Sequence, residues 1–220
     1  FLHEREWNLQ KEGSLTMADY DFAKIEKKLS KYLDEDRFQH TMGVMYTSAC
    51  LAMVHGYDIK DAQVSGLLHD CAKCIPNKKK LKMCSEHNIP VSDFERSHPF
   101  LLHSRLGAYI AHEKYGIDDQ EILSAINYHT TGRREMSLLE KIIYIADYIE
   151  PMRYKASRLP EIRKLAFEDL DECMYEILKD TLEYLEENPK EIDSTTRDAY
   201  VYYKELHDRK MQDAANRQED

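Results

Sequence analysis

Four histidines and two aspartates stand on or beside apolar helical segments, where their side chains could hold metal ions. In chain order they are His40, His69, Asp70, His103, His129 and Asp147. Imidazole nitrogen combined with carboxylate oxygen suits iron, manganese, cobalt or zinc, whereas magnesium and calcium prefer shells of oxygen alone. Because a carboxylate has two oxygens, Asp70 could bridge two metal ions about 3.5–4 Å apart. The ordered set therefore predicts a metal centre of one or two ions.

Each of these residues also has an ordinary structural interpretation. His40 shares the apolar side of its helix with Val44 and Leu51, and a lone histidine there is more often a hydrogen-bonded core residue than a ligand. Asp147 directly follows the apolar run 142–146, where a carboxylate is costly to bury without a partner. A bound cation would offset the cost of burying this carboxylate. It is the set, rather than any single member, that indicates metal binding.

The segments that position these residues are predicted to be helices joined by short loops. Apolar residues recur at helical spacing from 22 to 33 and again from 44 onward. Asp58 is expected to cap the helix that runs to His69. Ser137 and Glu140 form a capping box ahead of the apolar run that leads to Asp147. The metal-binding candidates therefore cluster at helix ends or on buried helix faces.

The whole pattern predicts one all-α domain over residues 17–212. Residues 1–16 are unlike the rest and Met17 resembles a natural start, with Thr16 and Asp19 as candidate caps, so we expect a tail before it. A less regular basic stretch is predicted at 77–82 and a helix start at 97–99. One long amphipathic helix is predicted at 160–187, followed by a turn at 188–189 and a terminal helix.

Composition narrows the class of protein. Of the 220 residues, 42% are hydrophobic and 33% are charged, which is usual for a globular domain. The 31 basic and 41 acidic residues give a net charge of −10, which disfavours a nucleic-acid surface. No apolar run is long enough to span a membrane. The five cysteines include a lone CxxC, Cys71 and Cys74, and we expect free thiols in a reducing cytoplasm.

Five local strings carry a more specific signal. They are RFQHT at 37–41, GLLHDCAK at 66–73, LHS at 102–104 with GA at 107–108, YHTTGR at 128–133 and ADYIEPMR at 146–153. The order H, HD, H, H, D is the signature of metal-dependent phosphohydrolases of the HD superfamily. The strings resemble the YqeK family, which are bacterial symmetrical diadenosine tetraphosphate hydrolases. The resemblance runs from about residue 20 to about 203 and implies a single helical domain of the HD type.

The resemblance implies a binuclear iron centre, with manganese or cobalt as substitutes. His40, His69, Asp70 and Asp147 would hold one ion, and Asp70, His103 and His129 would surround the second position. Asp70 and Lys73 would be the catalytic residues. The nucleotide would be contacted by Arg37, Lys73, Thr130 and Arg153, and by a late segment at 191–196 that includes Asp193 and Thr195. The metal-binding residues Asp70, His103, His129 and Asp147 would also contact it.

The function implied is symmetrical hydrolysis of diadenosine tetraphosphate to two ADP by a metal-activated water. Alternatives are an HD-type nucleotidase or phosphodiesterase acting on another nucleotide, or a nucleotide-binding sensor with little turnover. Cys71 has no evident activating partner and is expected to be a packing residue. The partner is expected to be a small dinucleoside polyphosphate or nucleotide. The exposed face of the helix at 161–187 is either a homodimer surface or a solvated face, and we favour solvation.

Overall fold

The computed structural model describes residues 20–156, 158–187 and 192–217, which form α-helices and one 3-10 turn with no β-strand. The helices are α1 (Phe22–Leu29), α2 (Glu35–His55), α3 (Ile59–Leu68), α4 (Asn77–Glu86), α5 (Asp93–Ser97), α6 (Leu102–Tyr115), α7 (Gln120–Tyr128), α8 (Leu138–Ile149), α9 (Leu159–Ala166), α10 (Leu170–Glu187) and α11 (Ser194–Asn216). The 3-10 turn, Pro99–Leu101, precedes α6. The prediction of an all-α fold is confirmed.

Local sequence sets the helix ends. Asp58 accepts a hydrogen bond from the Asp61 backbone N–H and caps α3, as predicted. Ser137 and Glu140 form both hydrogen bonds of the predicted capping box at the start of α8. α2 ends at Gly56, whose φ of 74° lies in the left-handed region that glycine adopts without strain.

A central group of five helices, α2, α3, α6, α7 and α8, packs together around the core. Their inward residues are fully buried, including Leu51, Leu67, Leu106, Ile126 and Ile143. α2 lies against both α3 and α8. α7 lies against α3, α6 and α8. The predicted metal-binding residues lie within α2 or at the ends of the other four helices, so core packing fixes their positions.

Two predicted elements are wrong. The single helix expected at 160–187 is broken after Ala166, because the Asp169 side chain accepts from the Glu172 backbone N–H and starts α10 as a separate helix. The irregular stretch expected at 77–82 is helical and belongs to α4. Its lysines have good helix propensity, and the residues Lys80 and Cys84, one turn apart, are buried beneath the helix.

Other predictions about the chain ends lie outside the described residues. These are the tail at 1–16, the caps at Thr16 and Asp19, and the turn at 188–189. The predicted domain boundaries at 17 and 212 also stay predictions. Within the described part, α1 is capped by Asp21. The helix start predicted at 97–99 is the short 3-10 turn, and α6 follows it. No helix in the described ranges is both long and apolar enough to cross a membrane.

Candidate metal centre and cleft

Five helices bring the six predicted metal-binding residues to one place. His40 lies within α2, and His69 and Asp70 follow the last turn of α3. His103 lies in the first turn of α6, His129 directly follows α7, and Asp147 lies in the last turn of α8. Although they span more than a hundred residues of sequence, their polar atoms meet within a few ångströms.

Each of the four imidazoles is fixed by a hydrogen bond on the side away from the centre. The Nδ1 atoms of His69, His103 and His129 lie 2.6–2.7 Å from the carbonyl oxygens of Gly66, Phe100 and Ile126, respectively. Because a carbonyl only accepts, Nδ1 must carry the proton, and in the neutral ring Nε2 keeps its lone pair. Nε2 is therefore the ring nitrogen that faces the centre, as metal coordination requires.

Asp70 lies between two pairs of histidines. Its Oδ2 is 3.5 Å from Nε2 of His69 and 3.9 Å from Nε2 of His40. Its Oδ1 is 3.2 Å from Nε2 of His103 and 3.4 Å from Nε2 of His129. One oxygen thus faces each pair, which is the arrangement a bridging carboxylate would need.

Asp147 lies beside the pair formed by His40 and His69. Its Oδ1 is 3.0 Å from Nε2 of His40 and 3.9 Å from Nε2 of His69. The ligand atoms of His40, His69 and Asp147 lie within 4.8 Å of one another, and the same is true of His69, Asp70 and His129. Both groups are compact enough for a single ion to be reached by three side chains.

The donor set fits a cation on three counts. Nε2 of His40, Nε2 of His69 and Oδ1 of Asp70 are buried and make no hydrogen bond. Nε2 of His103 and Nε2 of His129, both acceptors in this tautomer, approach to 3.2 Å. Facing acceptors repel one another unless a positive charge lies between them. The chemistry of mixed nitrogen and carboxylate ligands suits a divalent transition metal.

The protonation states agree with ligand roles. Burial lowers the pKa of His103 to about 4, against the opposing pull of Asp70, so this imidazole is neutral at neutral pH. Burial alone would raise the pKa of Asp70, but interactions with His69, His103 and His129 hold it well below its usual range. These interactions lower the pKa only where the facing ring nitrogen carries a proton, and a bound cation would take the place of those protons. Asp147 behaves in the same way, because His40, His69 and Arg153 outweigh burial and lower its pKa. Both carboxyl groups are therefore ionised.

Sequence reasoning missed Glu150. This residue is 1% exposed, and its Oε1 accepts a hydrogen bond from Nδ1 of His40 at 3.0 Å. Its Oε2 accepts from the Met152 backbone N–H at 2.6 Å. Glu150 fixes the ring of His40 as backbone carbonyls fix the other three. The one available signal was its position three residues after Asp147, on the same side of α8.

Three cationic side chains surround the carboxylates. Nη1 of Arg37 lies 2.7 Å from Oδ2 of Asp70, and Nη2 of Arg153 lies 2.6 Å from Oδ1 of Asp147. Nζ of Lys73 lies 3.1 Å from Nε2 of His103 and 3.7 Å from Oδ1 of Asp70. The predicted phosphate-binding residues thus stand beside the predicted metal ligands, and their positive charge is directed at the same centre.

The centre lies at the bottom of an open cleft of about 1140 Å³. Arg37, Lys73, Thr130 and Arg153 all line it. Thr130 Oγ1 lies 3.1 Å from Nε2 of both His103 and His129. The cleft also has an aromatic wall of Tyr144, Tyr148, Tyr154 and Tyr184, of which Tyr154 and Tyr184 are the most exposed, and its other apolar residues are Met152 and Ala156. Exposed aromatic rings beside cations give a surface that can bind a nucleotide base and its phosphates.

Asp193 and Thr195 occupy a different place. They line a smaller pocket of about 180 Å³, together with residues of α5, α6 and α7. The Asp193 side chain accepts from the Thr195 backbone N–H and caps α11. The structure therefore separates this pair from the metal centre, and their predicted nucleotide contact stays a prediction.

The cysteines take no part in the centre. Cys71 is buried in the hydrophobic core, and burial raises the pKa of its thiol to about 12. A thiol that stays protonated is a poor nucleophile. Cys74 donates to Asp34 at 3.4 Å, and all five cysteines are free. The expectation that Cys71 is a packing residue is confirmed.

Comparison with protein families matches residues 37–152 to the HD domain. This range begins at Arg37 and ends beside Arg153, so it includes all six histidines and aspartates of the centre. This chain belongs to the HD-domain family, in its YqeK branch. The predicted resemblance is confirmed.

The HD-domain relatives cover most of the chain. It is 40% identical over 157 residues to the symmetrical bis(5′-nucleosyl)-tetraphosphatase of Bacillus subtilis, covering 71% of this chain and 83% of that one. It is 36% identical over 180 residues to the enzyme of the same name from Staphylococcus aureus, covering 80% and 92%. A Clostridium acetobutylicum crystal structure, described as a predicted HD superfamily hydrolase involved in NAD metabolism, matches with a TM-score of 0.82 and 38% identity. That match covers 86% of this chain and all of the other.

Proposed function

We propose that this protein hydrolyses diadenosine tetraphosphate symmetrically, giving two molecules of ADP. The observation that carries the proposal is the cluster of imidazoles and carboxylates beside a cleft that is lined by Arg37, Lys73 and Arg153. The HD-domain relatives of similar length, named symmetrical bis(5′-nucleosyl)-tetraphosphatases, support this substrate over other nucleotides. The substrate class is a small nucleotide.

The ligand set would hold a divalent metal, and we propose iron, with manganese or cobalt as substitutes. His40, His69, Asp70 and Asp147 would bind one ion, and Asp70, His103 and His129 would surround the second position. When bound, such a metal lowers the pKa of water and neutralises phosphate oxygens. The mixed nitrogen and oxygen ligands favour these metals over magnesium or calcium.

The chain's own residues bind and orient the tetraphosphate. Arg37 and Arg153 can bind phosphate oxygens bidentately, and Lys73 adds a point charge beside them. Water adds to one of the two inner phosphorus atoms while the P–O bond to the central bridging oxygen breaks, so ADP leaves on each side. Lys73, which lies near Asp70 and His103, would offset the charge that develops on the leaving diphosphate.

The nucleosides would occupy the sides of the cleft. One adenine would lie on the aromatic wall around Tyr148 and Tyr154, of which Tyr154 is 80% exposed and so accessible for stacking. The pocket at Asp193 and Thr195 would take part in nucleoside binding from the other side. A cytoplasmic location is a further proposal. The exposed surface at 161–187 is either a homodimer interface or a solvated surface, and we favour the solvated surface.

Product analysis tests the proposed function. The wild-type protein with Mn²⁺ is incubated with diadenosine tetraphosphate in ¹⁸O-labelled water, and products are separated by anion exchange. We expect ADP as the sole product, with ¹⁸O in the β-phosphate of half of the molecules. Asp70→Asn should lose turnover, because both groups of ligands share that carboxylate. Formation of ATP and AMP would contradict symmetrical cleavage, and faster hydrolysis of a deoxynucleotide or cyclic dinucleotide would favour the alternative nucleotidase or phosphodiesterase.

A further inference from the structure

The loop that follows α8 carries two groups that act on the metal centre. Glu150 orients the His40 ring, and Arg153 binds Asp147. Both side chains work only if the backbone between them is held in one conformation. The loop has a few hydrogen bonds of its own, from the Arg153 N–H to the Glu150 carbonyl and from the Met152 N–H to the Glu150 side chain. It lacks the continuous ladder of a helix, so a contact from another part of the chain adds to its rigidity.

Arg163 on α9 holds this loop through three hydrogen bonds. Its Nε donates to the Ile149 carbonyl, and its Nη2 donates to the carbonyls of Glu150 and Arg153, each at 2.9 Å. The first two carbonyls belong to the end of α8, where backbone acceptors lack intrahelical partners and a positive charge is favourable. The planar guanidinium supplies several donors in a fixed geometry, which a lysine lacks.

Arg163 has no ion pair with a carboxylate among the residues that the structure describes, and its side-chain hydrogen bonds to those residues are with the loop. Its helix is itself fixed to the core. Ile162 and Ala166 are buried, and the Ala166 carbonyl accepts from Nε2 of His55 at 2.8 Å. The guanidinium is thus anchored on one side by α9 and bound on the other side to the loop of Glu150 and Arg153.

We propose that Arg163 is a positioning residue for the metal centre and the phosphate site. It acts through the main chain of residues 149–153, holding Glu150 against His40 and Arg153 at the cleft. The part concerning Arg153 rests on the proposed function, whereas the part concerning Glu150 concerns metal binding alone. Arg163 lies outside the HD-domain match at 37–152, and it contacts Glu150 and Arg153 through their backbone carbonyls rather than their side chains.

The test is a Mn²⁺ titration by calorimetry with matched variants. Arg163→Met keeps a long side chain but removes all three donors, and Lys164→Met changes the neighbouring side chain, which is 77% exposed and pairs with Glu168. We expect the Mn²⁺ Kd to rise about tenfold in Arg163→Met and to stay within twofold in Lys164→Met. Arg163→Lys, which keeps the charge and one donor group, should show a smaller rise and replaces the Met variant if that one does not fold.

The route through Glu150 is tested by a double-mutant cycle. In a Glu150→Gln background, Arg163→Met should raise the Mn²⁺ Kd by a smaller factor than in the wild type, because the contact through Glu150 is already weakened and only the route through Arg153 and Asp147 remains. An equal rise in both backgrounds, or no rise in folded Arg163→Met, would overturn the proposal.

The effect through Arg153 is tested separately by enzyme kinetics. In Arg163→Met, the KM for diadenosine tetraphosphate should rise by a larger factor than kcat falls. If the wild type does not cleave this substrate, the proposed function fails while the Mn²⁺ cycle still decides the role of Arg163.

Discussion

At the scale of single residues, the orientation of each imidazole depends on the oxygen behind it. His69, His103 and His129 donate to carbonyls three residues earlier in the chain, so local helix geometry fixes their rings. His40 instead donates to the carboxylate of Glu150, 110 residues away. A carboxylate behind a ligating histidine fixes the tautomer and raises the basicity of the nitrogen that faces the metal. His40 is therefore the ligand most sensitive to a distant substitution.

Replacement of Glu150 by glutamine should weaken metal binding while the fold is kept. The amide can still accept from His40, but it loses the negative charge, and its NH₂ group then faces the Met152 N–H that Glu150 now accepts. We expect the Kd for Mn²⁺ to rise about tenfold to a hundredfold, as is usual for such outer residues. The measurement is a calorimetric Mn²⁺ titration at constant pH.

The control for this prediction is a second glutamate–histidine pair far along the chain. Glu172 accepts from Nδ1 of His207 at 2.6 Å, between α10 and α11 and outside the cleft. Glu172→Gln makes the same chemical change there and should leave the Mn²⁺ Kd unchanged. An equal loss in both variants, or no loss in Glu150→Gln, would mean that Glu150 does not act through His40.

At the scale of helices, the approach of α2 to α8 makes the site possible. Gly43 lies one turn after His40, and a Cβ there would come within 2.5 Å of Glu150 Oε2. Gly43→Ala should displace the Glu150 carboxylate and raise the Mn²⁺ Kd several-fold. Overpacking costs roughly 1–3 kcal/mol, partly offset by up to about 1 kcal/mol of helix propensity. Both effects are measured by calorimetric titration and by chemical unfolding.

Gly56→Ala at the end of the same helix separates the site effect from general destabilisation. A Cβ there meets nothing within 4 Å, but φ is 74°, so the variant should lose about 1 kcal/mol of unfolding free energy through backbone strain. Its Mn²⁺ affinity should not change. If both glycine variants bound Mn²⁺ equally well, the close contact between Gly43 and Glu150 would have no role in the site.

The helices also show how far sequence reasoning reaches. The ligand set could be predicted because each member lies in a short string whose residue types carry the signal. The break after Ala166 could not, since apolar residues continue at helical spacing on both sides of it and a single side chain, Asp169, starts the next helix. The roles of Glu150 and Arg163 depend on long-range packing and on hydrogen bonds to carbonyls, which leave no periodic pattern in the sequence.

At the scale of the whole molecule, the metal centre is the point where five separate helices meet. The chain has a net charge of −10, whereas in the cleft the cations Arg37, Lys73, Arg153 and Lys155 are as numerous as the carboxylates of its lining. A bound metal would add positive charge there, which suits an anionic substrate. Within the cluster itself, acceptor atoms face one another across α2, α3, α6, α7 and α8. Without a cation, this repulsion opposes the packing of the same helices that form the core.

Metal binding should therefore stabilise the entire domain. A ligand that binds only the folded state adds about 2.7 kcal/mol at a free concentration of 100 times its Kd. For a chain of this length, 1 kcal/mol shifts the Tm by about 2–4 °C, so removing the metal with a chelator should lower the Tm by roughly 5–10 °C. Added Mn²⁺ should restore it, as measured by differential scanning calorimetry. In Asp70→Asn the Tm should not respond to Mn²⁺, because the carboxylate shared by both ligand groups is lost. An equal rise in that variant would place the stabilising ion elsewhere on the protein.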